Sequence, residues 1–269
     1  MSSSRQSLWI GIRGFFRKIP FFLFFYQKYR SHVTYQKFRS DYHAFDAESA
    51  TAPARFSIRW DDRFPCLADN TGNTYIDRHY VYHTAWAARV LARTMPIKHV
   101  DISSYVYFST IVSAFIPVQF YDYRPVMFGL DNLRSDYADL NRLPFESGII
   151  HSLSCMHVVE HIGLGRYGDA IDPDGDLKAI AELKRVLAPG GQLLFVVPVG
   201  EPKIEFNAHR IYGYEQVLEY FSELKLEEFS LVPDSQEQGG LILNASASQV
   251  PSLRYGCGCF LFRRSIESP

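Results

Sequence analysis

"HVDISS", residues 99–104, is the stretch on which the reading of this chain turns. Val100 and Ile102 on either side of Asp101 suit a short buried strand, and Ser103–Ser104 suits the tight turn that follows. In open α/β sheets the ligand edge lies beyond the carboxyl ends of the strands, at the point where strand order reverses. An acid and a turn at the end of a first strand therefore mark a candidate nucleotide-like site. Many such turns are glycine-rich; this one carries two serines.

Working outward, residues 79–94 place Val81, Trp86, Val90 and Leu91 at helical spacing, and Pro96 ends that helix. Residues 105–115 read as a helix despite their β-branched and aromatic content. "PVQFYD" (117–122) is a second strand ending in Asp122, and "GIIHSLSC" (148–155) is another. Leu177–Leu187 forms an amphipathic helix closed by "APGG", and "QLLFVVP" (192–198) is a strand buried on both faces. A helix at 213–222, a strand near 224–232 and a terminal strand at 255–264 complete the series. Strands alternating with helices predict an α/β fold, a mostly parallel sheet covered on both faces. At 269 residues and 47% hydrophobic, the chain can bury such a core.

The net charge of −1 hides an asymmetry. Residues 1–40 hold eight Lys or Arg and no acid, which leaves 20 basic against 29 acidic side chains in the remainder. Residues 1–48 thus read as a basic, aromatic arm and residues 49–269 as the globular domain. The apolar run Ile19–Tyr26 covers eight residues and includes Pro20, whereas a spanning helix needs roughly 20. Aromatics flanked by cations suit an anionic membrane surface, with an arm folded over protein as the alternative. The protein is expected in the cytoplasm, free or peripheral on the membrane. Four cysteines without paired metal or disulfide spacing fit a reducing compartment, and no metal is expected.

The ligand-edge rule selects Asp101–Tyr105 after the first strand, with Asp101, Ser103 and Ser104 as candidate cofactor contacts, Asp122–Arg124 after the second, with Asp122 and Tyr123, and Ser154–His157 after the fourth. A carboxylate at Asp122 can accept both hydroxyls of a ribose. Asp139 and Leu140 in "YADLNRLPF" (137–145) stand where an adenine edge and face would be read.

The strings "HVDISS", "YADLNRLPF", "EHIGLGRYGD" (160–169), "LAPGGQL" (187–193) and "FNAHR" (206–210) together resemble a class I S-adenosylmethionine-dependent methyltransferase. More closely they are similar to an uncharacterised, mostly bacterial methyltransferase-like family. The resemblance covers residues 75–264 and implies a Rossmann-like sheet with an antiparallel terminal strand, with S-adenosylmethionine as cofactor. It also implies glycine where Ser103 stands, because the backbone must approach the methionine part of the cofactor in a left-handed turn.

"GLGRYG" (163–168) spells a dinucleotide fingerprint, yet it follows "HVVEHI" rather than a first strand. A loop beside the active site, with Arg166 and Tyr167 facing substrate, is the better expectation. "DPDGD" (172–176) lacks the later EF-hand ligands, so Asp174 or Asp176 is expected to cap the next helix. Methyl transfer to a hydroxyl needs alignment and proton removal. His157, Glu160 and His161 follow the fourth strand; His161 is the expected base, Glu160 its assistant, and His209 and Arg210 would reach the acceptor. The reading is an O- or N-methyltransferase acting on a small-molecule or glycan acceptor, with a carbohydrate or sugar nucleotide preferred. A non-catalytic module that binds a protein partner or a membrane is the alternative. The acidic globule disfavours nucleic acid.

Overall fold

The computed structural model of the chain describes residues 20–51 and 55–266. It divides into two compact units, Met1–Tyr75 and Ile76–Pro269. In the first, α1 (Pro20–Ser49) is a continuous helix, and Trp60 opens a short 3-10 turn. Tyr42 meets the Trp60 ring edge-on at 4.8 Å, and the Arg63 guanidinium lies over it at 4.6 Å. The arm cations Arg5, Arg13, Arg17 and Lys18 lie outside the described residues. On the described part of α1 the side chains of Phe24, Phe25 and Tyr29 are exposed. Among the described residues no helix is long and apolar enough to cross a membrane.

The second unit holds the sheet. Its strands are β1 (His99–Ile102), β2 (Val118–Asp122), β3 (Leu133–Tyr137), β4 (Ile150–Met156), β5 (Leu187–Val199), β8 (Lys225–Val232) and β9 (Gly256–Arg263). The order is β3-β2-β1-β4-β5-β9-β8. β1 to β5 run parallel, whereas β9 is antiparallel to both β5 and β8. Order reverses between β1 and β4, so the carboxyl ends of these two strands frame the ligand edge. A separate hairpin, β6 (Lys203–Glu205) with β7 (His209–Ile211), extends past the end of β5.

The period of two along β5 builds two cores at once. Leu193, Phe195 and Val197 join one cluster with Leu183, Phe221 and Phe260. Leu194 and Val196 join the other with Trp86, Val90 and Phe108. Helix α2 (Arg78–Thr94) covers this second face with His79, His83, Trp86, Ala87, Val90 and Leu91, while Val81 is exposed. Asp77 caps it by accepting the Tyr80 amide at 3.3 Å, and Trp86 Nε1 donates to Glu228 on β8 at 2.6 Å. Three further helices are α3 (Val106–Val112), α4 (Gly175–Val186) and α5 (Tyr214–Tyr220).

One local expectation is corrected. Neither Asp174 nor Asp176 caps α4 with its side chain: Asp174 sits at φ −102°, ψ 14°, and Asp176 instead accepts the Tyr212 hydroxyl at 2.9 Å. An Asx turn in which Asp172 accepts the Asp174 amide at 3.1 Å opens the helix.

Candidate functional site

A cavity of about 540 Å³ opens at the end of β4, bounded by the start of α2, the 3-10 turn Val159–His161, the β6–β7 hairpin and Tyr255. His157 leaves β4 in the left-handed region, at φ 57°, which turns the chain back so that Glu160 lies beneath it. Glu160 Oε1 is 2.8 Å from His157 Nδ1 and 3.7 Å from His161 Nε2. Burial works against charge on Glu160, but the two histidines outweigh it and hold the carboxyl below its ordinary range.

His161 Nδ1 lies 2.6 Å from the Ala208 carbonyl, a contact that requires Nδ1–H to donate. The lone pair is then on Nε2. The Arg166 guanidinium also approaches Nδ1 at 3.2 Å, but two donors cannot bond each other, and its real partner is the Ala208 carbonyl at 3.0 Å. Tyr80 stacks against His157 at 5.6 Å and meets Tyr105 edge-on at 5.1 Å. Through these rings the cavity adjoins the turn that follows β1.

At that turn, Ser103 adopts φ 53°, the left-handed conformation that glycine would take without strain. Its amide and its hydroxyl both donate to the Tyr121 carbonyl, at 2.7 and 3.2 Å. Ser104 Oγ accepts the Met156 amide at 3.1 Å and so ties β1 to β4. Asp101 is fully enclosed: Ser154 donates to Oδ1 at 2.5 Å and Ser109 to Oδ2. Burial raises its carboxyl to about 6, and hydrogen bonds from Ser104, Ser109 and Ser154 restrain the rise. Asp101 therefore holds the turn from within rather than facing a ligand. Behind it, His99 Nε2 donates to Ser154 and its Nδ1 takes the Ser152 hydroxyl, a buried chain in which burial keeps the imidazole neutral.

Asp122 is half-buried at the end of β2; its Oδ1 takes the Arg124 amide at 2.7 Å, and Oδ2 has no protein partner among the described residues. Tyr123 is exposed beside Tyr137. Asp139 Oδ1 accepts the Asn141 amide at 2.9 Å, and Leu140 is buried in the core beneath.

The remaining site residues separate. Arg166 and His209 line the cavity, and half-exposed Tyr167 packs edge-on against His161 at 5.6 Å. Arg210 does not reach the cavity. Its guanidinium is buried, donating to the carbonyls of Ile162 at 2.6 Å and Pro173 at 3.1 Å, with Asp176 at 3.5 Å. It fastens the "GLGRYGD" loop and has no donor fork left for an acceptor phosphate. In that loop Gly163 stands at φ 80°, where a Cβ would meet the Asp172 carbonyl at 2.0 Å. Asp169 accepts the amides of Gly163 at 2.7 Å and Gly165 at 3.3 Å. The glycine amides thus wrap the chain's own carboxylate, which agrees with the exclusion of a dinucleotide fingerprint.

Sequence reasoning missed His79, Tyr80, Tyr255 and Cys257. His79 and His83, spaced i, i+4 on the apolar face of α2, were the available signal; Tyr255 and Cys257 carry none.

A family described as "Caenorhabditis protein of unknown function, DUF268" matches residues 147–226, under a third of the chain, including all of "EHIGLGRYGD" and "FNAHR". No curated protein matches the chain. Among solved structures, the N-methyltransferase NodS from Bradyrhizobium japonicum, solved with S-adenosylhomocysteine, is similar at 16% identity and TM-score 0.47, over 68% of this chain and 85% of that one. The 1,6-didemethyltoxoflavin-N1-methyltransferase of Burkholderia thailandensis is similar at 12% identity and TM-score 0.47, over 68% and 78%. The strand order gives the fold: six strands of one direction, β1 to β5 and β8, with antiparallel β9 inserted between β5 and β8. The fold is that of the class I methyltransferases.

Proposed function

We propose that this chain transfers a methyl group from S-adenosylmethionine to an oxygen or nitrogen of a small polar acceptor. The observation that carries the reading is the placement of the cavity. It lies past the carboxyl end of β4, beside the β1 turn at the switch in strand order, with His161 and Glu160 on its wall.

The residues present fit the cofactor. Ser103 already holds the left-handed turn, its hydroxyl is drawn onto Tyr121, and Asp122 keeps an oxygen for a ribose. Asp122, Tyr123 and Asp139 would hold the nucleoside part. The bound cofactor supplies an electrophilic methyl on a sulfonium. His161 is the base: with Nδ1 anchored on Ala208, its Nε2 takes the acceptor proton. Glu160 stabilises the imidazolium that results, and His157 fixes Glu160. The carbohydrate or sugar-nucleotide reading of the acceptor draws support from the cavity wall, which combines the rings of Tyr80, Phe206 and Tyr255 with the polar side chains of Asp77, Arg166 and Asn207.

Incubation with methyl-labelled S-adenosylmethionine and a panel of sugars and sugar nucleotides tests the proposal. Label should reach an acceptor with wild-type protein and fall at least about 100-fold with His161→Ala, the span of a general base. Binding of cofactor with equal transfer by wild type and His161→Ala would remove the mechanism; no cofactor binding would favour the non-catalytic alternative.

A further inference from the structure

We propose that His79, His157 and Cys257 bind a zinc-class divalent ion whose fourth position opens into the cavity. Ligand atoms of the three side chains lie within 4.8 Å of one another. A tetrahedral ion with nitrogen at about 2.0–2.1 Å and sulfur at about 2.3 Å would draw them to roughly 3.3–3.6 Å. Binding therefore draws the ligand atoms together by up to about 1.5 Å and shifts the stacked rings of His79 and His157. The ligands come from the first turn of α2, the residue after β4 and the start of β9, so no local motif announces them.

The hydrogen bonds around them point to a missing ligand. His157 Nδ1 meets Glu160 at 2.8 Å, and its buried Nε2 finds no nitrogen or oxygen partner, only the Cys257 thiol beside it. A carboxylate holding the far nitrogen of an imidazole is the arrangement that orients metal-binding histidines. His79 Nε2 rests on the Tyr255 carbonyl at 3.2 Å. His83, with Nδ1 on the His79 carbonyl at 2.7 Å, also leaves Nε2 unpartnered, its ring 5.0 Å from that of His157. Six buried side-chain nitrogen or oxygen atoms among the described residues lack a hydrogen-bond partner, and His83 Nε2, His157 Nε2 and Glu160 Oε2, all beside the three ligands, are among them. Buried polar atoms are nearly always paired, so such a concentration is unusual.

Two imidazoles and a thiolate favour zinc or cobalt over magnesium or calcium. On binding, the Cys257 thiol releases its proton to solvent and ligates as thiolate. Three protein ligands leave the open position of a site that polarises a bound oxygen. That this oxygen belongs to the methyl acceptor rests on the methyltransferase reading; metal binding itself does not.

The full chain, stripped of metal with a chelator, is titrated with Co²⁺ and then with Zn²⁺. One cobalt per chain should bind with a thiolate-to-cobalt charge-transfer band that zinc bleaches. Cys257→Ser should lose the band, and His79→Gln should weaken binding at least tenfold. Absence of the band in wild type, or undiminished binding in His79→Gln, would overturn the site; the second variant decides if Cys257→Ser does not fold. Titrating the metal-free chain with S-adenosylhomocysteine separates failure here from failure of the methyltransferase reading.

Discussion

Ser103 donates its hydroxyl to the carbonyl oxygen of Tyr121 at 3.2 Å, from a backbone at φ 53°. The side chain that replaces glycine is therefore turned onto β2. Ser103→Gly removes about 1 kcal/mol of left-handed strain and one hydrogen bond worth about the same, so stability should move by less than about 1 kcal/mol. Cofactor affinity should rise, by up to about tenfold. Weaker binding in calorimetry would mean that the hydroxyl itself meets the cofactor.

Asp122 tests the nucleoside side. It is half-buried and makes one local bond, so Asp122→Ala should leave the denaturation midpoint within about 0.5 kcal/mol of wild type. Affinity for S-adenosylhomocysteine should drop at least about tenfold, the worth of a hydrogen bond to a charged group. Unchanged affinity would displace the ribose from β2.

Asp101 gives a pH signature. Its folded carboxyl titrates near 6 because it is buried, above an unfolded value of about 3.9. The native state thus binds the proton more tightly, and this group's contribution to stability is present at low pH and lost as pH rises from about 4 to about 6. The full amplitude is on the order of 3 kcal/mol, because each tenfold gain in proton affinity is worth about 1.4 kcal/mol. Urea denaturation across that window should show wild type losing on the order of 3 kcal/mol relative to Asp101→Asn, since all other groups titrate alike in both. Parallel curves would contradict the assignment.

The buried strands were legible: "HVDI", "VQFYD" and "LLFVVP" each fall within an observed strand, although β5 starts at Leu187 and takes in the "APGG" expected to close the preceding helix. β3 was not singled out, because "LRSDY" at the sheet edge buries only Leu133. β6 escaped for the same reason, all three of its residues being exposed. In the site, the order of Asp101, Ser103, Asp122 and Asp139 along the sheet edge could be read, but not that Asp101 faces three serines. Arg210 looked like an acceptor ligand because sequence shows charge and not the carbonyls that consume it. The convergence of His79, His157 and Cys257 depends on three elements packing together and has no signature along the chain.

Arg210 and Arg166 should therefore behave oppositely. Arg210→Ala strands buried Asp176 and frees the loop carbonyls, and should cost about 3–5 kcal/mol in chemical denaturation. Arg166→Ala, at an exposed position on the cavity wall, should cost less than about 1 kcal/mol and weaken acceptor binding instead. Equal costs would contradict the separation of the two arginines.

Calorimetric titration of the purified chain with S-adenosylmethionine and S-adenosylhomocysteine tests the central claim most directly. A single site per chain with micromolar affinity, weakened in Asp122→Ala, is the predicted result. No heat and no thermal shift up to millimolar cofactor would contradict it.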